Sequence, residues 1–372
     1  MEKIYRAEVI GSLQRPTYLT EARAAMAAGK LGAAELRTVE DRAVDEALAF
    51  QARLGLDVVT DGEMRRVIFT EPLTGILDGL APAGTMTLNW RRKEGGTQKE
   101  REMRPPFFAA VSKIKRKRWL ARDEFAYAQS RTSKPLKVTL PSPTIVLPIW
   151  SPEHSRDAYA DPLALLPDLV EILREEIREL AALGCKYIQF DAPELTWLAD
   201  EVRLAELATI HPKLAGWMQN EGIEALNSLA TVPGVTFGLH MCRGNSQGYW
   251  LSEAPWEALS KSIFRRAGNL DVFLLEYDDW RSGSFEPLRD LPPGKVAVLG
   301  LISTKHEELE PAAEIIARIE EASRFYPREQ LALSPQCGFA PQPDDNVISA
   351  ASQEAKLRLV ADLAHRIWRS GT

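Results

Sequence analysis

Short apolar runs rich in β-branched and aromatic residues recur along the chain, near 7–11, 58–61, 137–140, 187–191, 236–240, 273–277, 296–300 and 331–335. Amphipathic stretches of helical period separate them. In 38–54, Val39, Ala43, Val44, Ala47 and Leu48 share one face while Glu40, Asp41 and Arg42 occupy another. In 167–183, Leu169, Ile172, Ile177 and Leu180 recur at near-helical spacing before Gly184, a natural stop. The segments 309–325 and 353–369 read alike, the latter with Leu357, Val360, Leu363, Ala364 and Ile367 on a core-facing stripe. Strands alternating with helices predict a parallel sheet with crossover helices. Eight of them in one chain predict an α/β fold of a single domain, a closed (β/α)8 TIM barrel over residues 1–372.

One segment breaks this rhythm. After the second strand, about 81–134 is long for a β/α connection and carries many cations between Arg91 and Arg118. Two readings fit: a solvated excursion with a helix, or a lid or arm whose cations meet an anionic substrate or a neighbouring subunit. The second leaves a homo-oligomer open.

Composition narrows the function classes. Hydrophobic residues make up 45% and charged residues 26% of the 372, as in an ordinary globular protein. A net charge of −6 supplies no field for nucleic acid or an anionic membrane. The N-terminal stretch from Met1 to Arg6 has no apolar leader core, and no run is long enough to span a bilayer, so a cytoplasmic location is expected. Three widely spaced cysteines, Cys185, Cys242 and Cys337, make a poor disulfide framework and suit a reducing compartment.

In a barrel of this kind, the C-terminal ends of the strands converge on one mouth. The fifth expected strand ends in His240-Met241-Cys242, the sixth contains Glu276 in Leu275-Glu276-Tyr277-Asp278, and the eighth runs into Pro335-Gln336-Cys337-Gly338. Sulfur, nitrogen and carboxylate donors at one face are the composition of a zinc site, and a catalytic site keeps or releases one position for substrate. The plainer reading of each residue, simple packing, stays open at this point.

These segments resemble the catalytic barrel of the cobalamin-independent methionine synthase family, and the likeness runs along nearly the whole chain. Ile10-Gly11-Ser12 is similar to the family's first-strand substrate loop, Asp61-Gly62-Glu63 to its second-strand acid motif, and the run from Tyr187 through Asp191 to Glu194 to its fourth-strand motif. The resemblance implies zinc held by His240, Cys242, Glu276 and Cys337. It also implies that the loop Ile10, Gly11 and Ser12, with Glu63 and Asp191, receives an amino-acid-like thiol, homocysteine in the family's best-known members, with both carboxylates near its ammonium. Read singly, Gly11-Ser12 is a strand-to-loop turn, Asp61-Gly62 a turn dipeptide and Asp191 a cap for the following helix.

A free thiol titrates near about 8.5, and coordination to zinc removes its proton at neutral pH. Methyl transfer to that sulfur is the expected reaction, giving methionine. A methylated folate donor needs an acid for its leaving nitrogen. The family places a histidine after the seventh strand, whereas this chain reads Gly300-Leu301-Ile302-Ser303-Thr304-Lys305-His306, so His306 and Asp278 are the candidates. The chain corresponds to the catalytic half alone and resembles stand-alone members. The alternatives are an alkyltransferase acting on another anionic thiol, such as coenzyme M, with an epoxide, methyl-aryl ether or corrinoid donor, and a non-enzymatic metal-binding scaffold.

Overall fold

The first two expected barrel strands are each a single bridge wide: Ala7 pairs in parallel with Leu333, and Val59 with Leu136. Asp57 explains part of the narrowness, because its Oδ2 accepts from the N–H of Arg6 (2.8 Å) and of Ala7 (3.1 Å), meeting backbone donors with a side chain. The computed structural model describes residues 4–68, 75–145, 149–341 and 347–369, so Met1, Glu2 and Lys3 lie outside the described residues. Helices Thr17–Ala27 and Ala33–Leu54 follow the first stave, the second ending at Gly55 in the left-handed conformation (φ 84°).

The charged excursion is a β arm. Strand β1 (Leu77–Thr85) pairs antiparallel with β4 (Pro106–Arg116), and β2 (Leu88–Glu94) with β3 (Thr97–Met103). Gly95 (φ 55°) and Gly96 (φ 82°) turn the tip through backbone that side chains resist. The expected helix follows the arm, at Arg122–Arg131. Thr97–Met103 is polar on both faces and almost wholly exposed, so no alternation announced it as a strand. The hairpin comes to rest on the loop after residue 242: Arg91 and Trp250 exchange two backbone hydrogen bonds of 2.8 Å, Arg91 pairs with Asp200, and the Trp90 ring lies against Gly244.

Six further staves form one parallel sheet: β5 (Val138–Pro141), β6 (Tyr187–Asp191), β7 (Thr236–Met241), β8 (Val272–Glu276), β9 (Val296–Ile302) and β10 (Leu331–Pro335), each beside its neighbour in sequence. Their residues are almost all buried, as expected for strands covered on both faces. Hydrogen bonds carry the ring round through the narrow staves: Glu8 N–H to Leu333 O (3.0 Å), Asp57 N–H to Ala7 O (3.0 Å) and Val59 N–H to Pro135 O (2.9 Å).

Helices Pro162–Ala182, Ala312–Ala322 and Ala350–Arg369 cover the outside, close to the expected segments. Asp161 caps the first of these by accepting from Ala164 N–H at 2.9 Å. The barrel interior is a separate cluster of Ile10, Val58, Tyr187, Val272, Leu274, Val296, Val298 and Ala332. Below the mouth it also holds a buried ion pair, Lys137 Nζ to Glu8 Oε2 at 2.8 Å.

The period of two along a strand decides what faces the mouth. Because Tyr187, Leu274 and Ile10 point inward, so do Asp191, Glu276 and Ser12, two or four residues further on. Gly300 shares that inward set, and its staves approach too closely for a side chain: a Cβ there would lie 2.7 Å from Gln336 Cα and 2.9 Å from the Leu275 carbonyl oxygen. Gly300→Ala is therefore expected to lower the unfolding free energy by about 2 kcal/mol, measurable by denaturant titration.

Candidate metal centre and substrate pocket

His240 ends β7 facing inward, and Cys242, two residues on, keeps that direction. Cys337 arrives from the opposite side of the mouth, two residues past β10. The two Sγ atoms stand 3.8 Å apart, and the nearest ligand atoms of all three residues lie within 4.8 Å of one another. Two thiolates on one tetrahedral zinc, with Zn–S near 2.3 Å, are separated by about 3.8 Å. His240 Nδ1 stands 3.3 Å from the Leu274 carbonyl oxygen, so a proton there fixes the ring, and its Nε2 is buried with no partner. An imidazole nitrogen left open beside two sulfurs fits a zinc ion.

The electrostatics of the triad fit a cation as well. A hydrogen bond from Cys337 and the neighbouring His240 drive the Cys242 thiol well down, while donating that bond and burial drive the Cys337 thiol well up. The pair thus shares one proton. Burial pulls His240 down, yet its contact with the Cys242 sulfur outweighs this and leaves the imidazole above its ordinary value.

Glu276 stands outside this triad, in a second cluster with Asp278 and Asp279. Its Oε2 accepts from Arg243 N–H at 2.7 Å, and its Oε1 from Arg281 Nη2 at 2.8 Å and Lys305 Nζ at 3.0 Å. Burial opposes ionisation there, but Lys305, Arg281 and Arg243 hold the carboxyl far below the usual range. Asp278 accepts from Lys305 Nζ at 2.8 Å through Oδ2, its Oδ1 is buried without a partner, and burial raises its pKa. His306 turns outward, half-exposed, and faces Glu308 (3.2 Å) and Glu310 (3.9 Å). The inward residue of that loop is Lys305.

Across the mouth, Glu63 holds a left-handed backbone (φ 55°), a strained conformation for a residue with a side chain. Asp61 Oδ1 accepting from Glu63 N–H at 2.9 Å stabilises the turn, so the turn reading of Asp61-Gly62 holds and also aims Glu63. Glu63 Oε1 accepts from Thr139 Oγ1 at 2.9 Å and lies so near Gly11 that a Cβ there would be 2.5 Å away. The Ile10-Gly11-Ser12 loop closes against the Cys337 loop: Ser12 O accepts from Phe339 N–H at 2.8 Å, and a Cβ on Gly338 would collide with Ser12 Oγ.

Asp191 accepts from Gln189 Nε2 at 2.7 Å, and the following helical turn has no side-chain cap, so the capping reading of Asp191 fails. Burial, with nearby Glu63 adding to it against the pull of His240, raises Asp191 to about 7.

Residues 6–358 match the family model described as the catalytic domain of cobalamin-independent synthase. The chain belongs to the cobalamin-independent methionine synthase family. It is 32% identical over 375 residues to the uncharacterized protein YxjG of Bacillus subtilis, covering 98% of this chain and 95% of that protein. It is 26% identical to a methionine synthase of Pyrococcus abyssi, over 90% of this chain and 86% of that one. The structure of a B12-independent methionine synthase from Shewanella sp. W3-18-1, in complex with selenomethionine, superimposes with a TM-score of 0.76 at 21% identity and 99% coverage of both chains. Both of these latter matches run across nearly the whole of the barrel described above.

Within this methionine synthase barrel, four buried residues escaped the sequence reading: Lys305, Arg281, Arg243 and Glu194. The first three ring Glu276. Glu194 accepts from Thr144 Oγ1, its Oε2 has no partner, and burial raises it to about 7. Arg243 directly follows a candidate ligand, and Glu194 belongs to the same motif as Asp191, so proximity along the chain was a usable signal for both. Lys305 gave none, sitting in a loop beside a more conspicuous histidine.

An amine-bearing ligand seated on Glu63 and Asp191 needs Asp191 ionised, which holds above about pH 7 and fails below it. Calorimetric affinity for methionine should therefore fall as pH drops below about 7, approaching tenfold per pH unit. Asp191→Asn should bind weakly and show no such slope.

Proposed function

We propose that the chain is a zinc-dependent methyltransferase that transfers a methyl group to a thiol, homocysteine, to give methionine. The observation that carries the reading is the 3.8 Å sulfur pair of Cys242 and Cys337 beside the open Nε2 of His240. These three residues would hold the ion, with Glu276 behind them. Bound zinc supplies Lewis acidity that strips the proton from an incoming thiol at neutral pH while leaving the sulfur nucleophilic.

The chain's own groups divide the remaining work. Glu63 and Asp191 seat the substrate ammonium, and the Ile10-Gly11-Ser12 loop closes the pocket beside Cys337. Two carboxylates at this end favour an amino acid over a sulfonate thiol, since like charges a few ångströms apart in a buried site repel strongly. Asp278, with one free oxygen and a raised affinity for protons, supplies the proton that the donor's leaving atom takes up. A methylated folate is a donor of that kind.

Among the described residues no helix is long and apolar enough to cross a membrane. The three cysteines are free and buried, which suits the reducing cytoplasm. Purified protein should contain about one zinc per chain, as a single four-coordinate site requires. Metal analysis paired with a homocysteine methylation assay checks this: chelation should abolish turnover and zinc should restore it. Cys337→Ala should lose both metal and activity, and wild-type protein that turns over fully without metal would sink the reading.

A further inference from the structure

The placement of Glu276 departs from what the family resemblance implies. Donors sharing one tetrahedral zinc lie about 3.3–3.8 Å apart, yet Glu276 is not within the 4.8 Å grouping of His240, Cys242 and Cys337 and clusters with Asp278 and Asp279 instead. Its carboxylate is committed elsewhere. Oε1 takes two cationic donors, Arg281 Nη2 at 2.8 Å and Lys305 Nζ at 3.0 Å, and Oε2 takes the Arg243 N–H at 2.7 Å. Every member is buried, so solvent does not weaken these bonds.

The cations are themselves pinned. Lys305 Nζ is shared with Asp278 at 2.8 Å, and the preceding Thr304 is fixed to Gln336 Oε1 through its N–H (2.7 Å) and Oγ1 (2.8 Å), beside Cys337. Arg281 donates to Asp279 and lies over the Trp250 ring at 4.3 Å.

We infer that Lys305 and Arg281 are positioning residues that hold Glu276 off the metal, leaving a three-residue centre of His240, Cys242 and Cys337 whose fourth position belongs to the substrate thiol. This rests on the zinc reading above and changes its mechanics: the thiol enters without first displacing a protein carboxylate. Glu276 acts behind the centre, fixing the Arg243 backbone next to Cys242. Without the Lys305 charge, Glu276 is free to turn to the ion and compete with the thiol.

Zinc affinity by chelator competition, together with homocysteine KM and kcat, tests this on the full chain. Glu276→Gln should lower zinc affinity by no more than about tenfold, the effect of an outer partner, while Cys337→Ser should lower it by more than about 100-fold. Lys305→Met should tighten zinc by about tenfold, the equivalent of one charged interaction gained, and raise KM more than it lowers kcat. Lys305→Arg should restore both values. Glu276→Gln losing zinc as severely as Cys337→Ser would overturn the inference, and so would Lys305→Met binding zinc no tighter than wild type. The second comparison stands even where Glu276→Gln does not fold. Wild-type protein without any zinc affinity would instead remove the underlying reading.

Discussion

Two thiols and an imidazole buried against one another are costly unless a positive charge balances them. The staves of the barrel nevertheless converge to make that contact, with Cys242 and Cys337 coming from nearly opposite sides of the ring. In the absence of an ion, the shared proton between the sulfurs and the raised affinity of His240 for a proton supply the missing charge. The rest of the mouth is arranged around this demand. Glu276 lies close enough to be felt by both sulfurs, yet Lys305, Arg281 and Arg243 neutralise it, so it adds no further negative charge to the centre.

The opposite wall solves a different electrostatic problem. Glu63 and Asp191 face the same space, and one of them is pushed towards neutrality when no cation is present. A left-handed Glu63 and a side-chain-free Gly11 are the local concessions that bring this carboxylate into place. Such strain is maintained by the neighbours that hold it: Arg15 and Arg66 both bond the Glu63 carbonyl, at 3.1 Å and 3.0 Å.

Much of this was legible in the chain because a period of two is stiff. Once the strands at 187–191, 236–240 and 273–277 were recognised, the inward parity of Asp191, His240, Cys242 and Glu276 followed, and the covering helices appeared within a few residues of their stripes. What escaped notice had no periodic signal. The first two staves are single bridges whose pairing is partly supplied by Asp57, and the arm's outer strand is polar on both faces. His306 looked more like an acid than Lys305 did, because residue type was visible and side-chain direction in a loop was not. The full set of partners around Glu276 depends on distances between residues about thirty apart in sequence, which only the folded backbone brings together.

The docking of the arm has a kinetic consequence. Arg91 meets the Trp250–Leu251 backbone across a separation of 160 residues, and its pairing orders the loop that begins one residue after Cys242. Contacts so distant in sequence form slowly, after the local helices and neighbouring staves have condensed. The metal-proximal loop thus acquires its final shape at a late stage of folding, when the ring that must surround it already exists, and the nascent protein passes most of its assembly without a completed centre able to capture an ion.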